Sequence, residues 1–221
     1  MSARTYLKDN LGSLLAMAML ARRPNRIKHV FAIGDRQDNI AEAERDRGAM
    51  KDPFAAPELE RMWQERYCPP RYDLGELARL DPGTLGGAYA RHMSERGLQP
   101  DFYDAMPARH RMHYLRLRVR QTHDVWHVLS GFDTDEFGEV GLQGFYFAQF
   151  TNGQSALILA AAMLKSLLRG KLDELERFVE AFYDGYARGG RCESLLAVKF
   201  EQLWREPLQD LQARLRIEPL R

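Results

Sequence analysis

The chain has 221 residues, 45% of them hydrophobic and 29% charged, which suits one ordinary globular domain with a sizeable core and argues against disorder. Its 32 Lys and Arg stand against 31 Asp and Glu, a formal net charge of +1, so the basic surplus that a nucleic-acid backbone demands is absent and no nucleic-acid partner is expected. Neither of the two cysteines, Cys68 and Cys192, lies in a C-x-x-C pair, which leaves a thiolate zinc site or a redox dithiol without support.

The N-terminal stretch carries Lys8, Asp9 and Asn10 before a short apolar run, with no export-type cleavage site after it, so an intracellular, cytoplasmic protein is expected. Helix formers dominate, and alternating Val, Ile and Thr are nearly absent. In chain order the predicted helices cover 5–21, 36–49, 57–66, 73–79, 84–96, 108–130, 136–149, 153–169, 171–187 and 191–215. Between them stand breakers such as Cys68-Pro69-Pro70, Asp81-Pro82-Gly83 and Gly189-Gly190. The expected fold is all-α, a single-domain multi-helix bundle over residues 1–221 with a buried polar site and an apolar groove. Thr84 is placed to cap the helix starting at Leu85, Asp133 with Glu136 to open the helix after it, and Gly131 to end the helix before. The run from Ala156 to Leu164 stops at Lys165, short of the roughly 18–20 apolar residues of a membrane span, and reads as a buried helix. Peripheral membrane contact needs only one apolar helix face and stays open.

The segment from Gln121 to Gly131 carries the chemistry. His123 and His127 are four apart and share a helix face, with Asp124 at its edge. Around them Val125, Trp126, Val128 and Leu129 make the helix apolar on nearly every side, so its polar groups are expected to be buried and to need partners. One stripe of this helix is apolar (Met112, Leu115, Val119, Trp126, Leu129), and a second holds His113, Arg116, Arg120, His123 and His127. Glu139 follows after a predicted turn. Two histidines and two carboxylates suit a divalent ion, zinc most simply, with iron, cobalt, manganese or magnesium as alternatives. Spacing alone equally allows a buried hydrogen-bonded network with no metal. A zinc-peptidase reading is weak because Asp124 stands where such a helix places a longer glutamate base. An HD-type phosphohydrolase lacks its separate upstream histidine and later aspartate. The basic run from Arg109 to Arg120 reads as a solvated or salt-bridged face, with Arg120, on the histidine stripe, as the candidate anion contact.

Gly83-Thr84-Leu85-Gly86-Gly87 lacks the order of a dinucleotide fingerprint; its glycines either let a neighbouring element approach or leave room for a ligand. Phe145 and Phe150, with the apolar helix after them, read either as core or as a channel for a long apolar chain.

Taken together, His123-Asp124-Val125-Trp126-His127, then eleven residues, then Glu139, resemble the signature of the coenzyme Q (ubiquinone) biosynthesis family. The upstream segment Leu80 to Tyr89 is similar to that family's L-x-x-G-T-[LF]-G-x-x-Y, and the tail from Gly185 through Ile217 is similar to its closing helix. The chain departs from the family pattern at Val119, at Gly144-Phe145-Tyr146 and at Asn152-Gly153-Gln154, which points to a divergent bacterial relative. The resemblance implies a helical protein in which His123, Asp124, His127 and Glu139 carry the metal and serve catalysis. It also implies a polyprenylated aromatic ligand, for which Arg120, Gly83, Thr84, Gly86, Phe145 and Phe150 are the substrate-binding candidates. The implied reaction replaces the carboxylate on ring carbon one by a hydroxyl; the implied alternative is a non-catalytic prenyl-lipid scaffold. Other coenzyme Q biosynthesis proteins, a homodimer and the inner face of the cytoplasmic membrane are the expected partners.

Overall fold

Caps and breakers divide this chain much as its sequence suggests. The structure, a computed structural model, describes residues 52–100 and 110–218, and among these it is all-α, with an isolated bridge between Thr84 and Pro207 but no strand. The helices are α1 (Pro57–Gln64), α2 (Leu74–Leu77), α3 (Leu85–Glu95), α4 (Arg111–Ser130), α5 (Glu136–Gln149), α6 (Gly153–Leu168), α7 (Asp173–Arg191) and α8 (Leu208–Leu215). The predicted helices 5–21 and 36–49 lie outside the described residues.

Thr84 caps α3 as predicted, accepting from the Gly87 N–H at 3.2 Å. Two expectations need correction. The predicted helix 191–215 is instead two single 3-10 turns, Leu195–Ala197 and Phe200–Gln202, followed by α8. Pro207 cannot donate, and the backbone before it is used elsewhere: the Leu85 N–H donates to Glu206 O at 2.9 Å and the Gly86 N–H to Trp204 O at 2.8 Å. The cap of α5 is Asp135, which accepts from the Gly138 N–H at 2.7 Å. Asp133 does not cap; it accepts from Arg96 Nη2 at 2.6 Å.

The described residues fall into two compact units, one of residues 134–190 and the other of residues 54–100, 110–133 and 191–218. In the second, α3 and α4 pack together over a core in which Leu59, Leu85, Met93, Trp126, Leu129 and Phe200 are fully buried. Each such side chain contributes roughly 1.5–3 kcal/mol of burial free energy. In the first, α5 and α7 touch backbone to backbone. A Cβ on Gly144 would collide with the Phe182 carbonyl, and one on Gly185 with the Gly141 carbonyl. That contact carries α7 through Gly189-Gly190 to Arg191, past the end predicted at 187, since Gly189 is itself packed against Phe145. The expected burial of 156–164 is also corrected: α6 buries only Ser155 and Ser166, and the residues between are exposed or half-buried. An apolar sequence buries only the faces that meet a neighbour, and α6 packs chiefly on α5.

Candidate metal centre

The geometry of α4 begins with its two stripes. Met112, Leu115, Trp126 and Leu129 are buried and Val119 half-buried, which fixes the helix against its neighbours. One stripe round, His113, Arg116, Arg120 and His123 are half-buried, and His127 is 1% exposed.

Gly131 ends α4 in the left-handed conformation, with φ of 79° and its N–H donating to His127 O at 2.8 Å. The turn returns the Phe132 carbonyl to the helix, where it lies 2.9 Å from His127 Nδ1. A carbonyl only accepts, so Nδ1 carries the proton, which leaves Nε2 as the nitrogen that can offer a lone pair. Metal-ligating histidines are commonly oriented in this way. The His123 ring stands at 89° to that of His127, and the two Nε2 atoms are 3.3 Å apart. Two nitrogens bound to one tetrahedral ion at ~2.0–2.1 Å would be separated by about 3.3 Å. The same distance also suits one hydrogen bond between the rings.

Glu139 sits half-buried in the first turn of α5, its N–H donating to Asp135 O at 2.9 Å. Asp124 is half-buried, and its charge helps keep the Tyr72 and Tyr89 phenols protonated, an effect led by their burial. Those two hydroxyls share a hydrogen bond of 2.9 Å. Arg120 lies a turn before His123 on the same stripe, and beside it the Arg116 guanidinium is pushed down to about 10, by burial first and then by Arg120. Asp133, Asp135 and Glu136 are exposed.

The glycine segment joins α3 to the chain before α8. Besides the two bonds already described, the Leu208 N–H donates to Gly83 O at 2.8 Å, and a Cβ on Gly86 would meet Trp204 O at 2.9 Å. Close approach is therefore what Gly83, Thr84 and Gly86 do here. Phe145 and Phe150 are both buried in the core of their unit.

Two residues that the sequence did not single out belong to this picture. Arg118, assigned to a solvated run, is 0% exposed; Nη1 donates to Glu201 Oε1 at 2.9 Å and Nη2 to Val198 O at 2.9 Å. Its place on the stripe of Leu115, Thr122 and Val125 was the available signal. His92, on α3, is 8% exposed and its ring stacks on that of His127, with centroids 5.8 Å apart and planes inclined by 22°. Its imidazole is pushed down to about 4, by burial first and then by Arg96 and His127. Leaving a buried polar atom unmatched costs about 1–3 kcal/mol, and His92 Nε2 is buried with no hydrogen-bond partner among the described residues.

The profile of a family described as "Coenzyme Q (ubiquinone) biosynthesis protein Coq4" matches residues 14–221. This chain belongs to the Coq4 family. The Coq4 match includes the whole run from His123 to Glu139 and the glycine segment before α3. A curated relative from Danio rerio, "Ubiquinone biosynthesis protein COQ4 homolog, mitochondrial", is 32% identical over 153 residues, covering 66% of this chain and 54% of its own. The Rattus norvegicus protein of the same name is 31% identical over 173 residues, 76% of this chain and 63% of its own. The aligned part thus spans less than two thirds of either relative. The crystal structure of a "Putative ubiquinone biosynthesis protein" from Nostoc punctiforme PCC 73102 superposes with a TM-score of 0.77 at 32% identity, covering 93% of this chain and 97% of that one. Both vertebrate Coq4 relatives are named as mitochondrial. Among the described residues of this Coq4 chain, no helix is long and apolar enough to cross a membrane.

Proposed function

We propose that this Coq4 protein acts in ubiquinone biosynthesis by holding a divalent metal ion on His123, His127 and Glu139 and presenting it to a polyprenylated aromatic intermediate. The observation that carries the reading is the 3.3 Å approach of the two Nε2 atoms, with His127 held in its lone-pair tautomer by the Phe132 carbonyl. His123 and His127 supply two imidazole nitrogens and the motif adds the Glu139 carboxylate, a donor set of the kind that holds a divalent ion. Zinc is the simplest occupant.

When bound, such an ion would supply Lewis acidity that stabilises negative charge building on an oxygen of the head group. The residues do the rest. His127 is held in place by the Phe132 carbonyl, and Arg120, on the same stripe, pairs with the carboxylate of a hydroxybenzoate-type ring. The reaction this serves is the oxidative decarboxylation and hydroxylation at ring carbon one, in which the ring–carboxylate bond breaks with release of CO2 and a ring–oxygen bond forms, with dioxygen as the external oxidant and oxygen source. Peripheral contact with an anionic membrane belongs to the same proposal, through Leu164, Leu167, Leu168 and Leu172, which are 41–74% exposed, with Arg169 and Lys171 among them.

Elemental analysis of the purified protein, paired with mass spectrometry of co-purified lipid, tests it. One divalent ion per chain, lost in His127→Ala, together with a prenylated aromatic species, is the expected result. Absence of metal from wild type after supplementation with zinc, cobalt, iron and manganese would return the histidines to a hydrogen-bonded network and leave a prenyl-lipid scaffold as the function.

A further inference from the structure

The buried Nε2 of His92 lies outside every hydrogen bond and every donor role described so far. α3 is buried along Leu85–Ala90 and again at His92 and Met93, so this imidazole is built into the core and not left at a surface. Natural interiors rarely bury a polar atom without a counterpart, and where one occurs it is matched by a water or a ligand. The ring's neighbours narrow the choice. The His92 ring lies beside that of His127, near parallel with centroids 5.8 Å apart, whereas His123 and His127 stand perpendicular with their Nε2 atoms 3.3 Å apart. At that separation His92 is close enough to meet a group held at the position that His123 and His127 share.

We propose that His92 Nε2 hydrogen-bonds an oxygen of the aromatic head group bound at His123 and His127, and so selects ligands that bear a hydroxyl or carboxylate on the ring. This rests on the metal-and-prenyl reading above and deepens it. His92 is a binding residue, distinct from the ion's donors.

The test uses full-length, zinc-loaded protein and two probes, 3-geranyl-4-hydroxybenzoate and geranylbenzene, the second being the same skeleton without ring oxygens. His92→Phe keeps the ring stack and removes the hydrogen bond. It is expected to keep the wild-type zinc content and to weaken the oxygen-bearing probe about tenfold, the value of one hydrogen bond, while leaving geranylbenzene unchanged. His92→Gln, which retains a donor and an acceptor, is expected to recover part of the loss. Loss of zinc in His92→Phe would make His92 a metal donor and overturn the inference. Unchanged binding of both probes would also overturn it, by making Nε2 the partner of a structural water. If wild type binds zinc but neither probe, the prenylated-ligand reading itself fails, and the role of His92 falls with it.

Discussion

Arg118 is the residue at which burial and charge meet most sharply. Its guanidinium is fully buried, and its carboxylate partner Glu201 has a side chain only 5% exposed. Removing one member of such a pair leaves the other charge buried, so Arg118→Ala is expected to cost about 3–5 kcal/mol in urea unfolding. A loss below about 1 kcal/mol would show that water replaces the arginine. Tyr67 reads the same network by pH. Burial first, then the Glu201 carboxylate that accepts from its hydroxyl at 3.3 Å, raise this phenol to about 12. A group whose pKa is raised on folding stabilises below its unfolded value, near 10, and that contribution is lost as pH climbs from there through about 12. Alkaline unfolding of wild type and Tyr67→Phe should therefore diverge only above pH ~10, with the variant the flatter of the two. At this scale the histidine pair was legible, because an i,i+4 spacing on a helix leaves the side chains little choice of face. His92 was not, since a lone histidine in an apolar run carries no mark of which ring it will meet.

Elements show the same division. The α5 boundaries at Glu136 and Gln149 match those predicted, as does the left-handed Gly131, because caps and breakers act within a few residues. The α5–α7 contact is different, since it depends on which glycines come to face one another. Gly185→Ala would force two backbones apart and is expected to destabilise by about 3 kcal/mol or more. Gly190, in the same helix, has nothing within 4 Å of its added Cβ. There the substitution should stabilise by about 0.5–1 kcal/mol, through helix propensity alone. Equal effects from the two in thermal or urea melts would contradict the backbone contact. The failed prediction over 191–215 has a similar origin. Its helical periodicity is real, but Trp204 and Glu206 spend their carbonyls on the first turn of α3, a pairing across more than a hundred residues of chain that no local pattern records.

For the whole molecule, the charge is near neutral, and no helix among the described residues is long and apolar enough to cross a membrane. The exposed leucines at the end of α6 and in the turn after it are expected to drive co-flotation with anionic vesicles, and Leu167→Asp with Leu168→Asp should abolish it at unchanged helicity. Flotation that persists in the double variant would place the contact elsewhere. Metal binding has a global signature too: an ion held at one hundred times its Kd adds about 2.7 kcal/mol to folding. A chelator should accordingly lower the melting temperature of wild type and leave that of His127→Ala unmoved. The helical class, the family and the sharing of one helix face by His123 and His127 were determined by sequence alone, because periodicity, capping and motif spacing are properties of neighbouring residues. The lone-pair tautomer of His127, the burial of Arg118, the exposure of α6 and the stacking of His92 were decided only in the tertiary structure. Each depends on which distant backbone or ring fills the space beside a side chain, and close packing settles that for the chain as a whole.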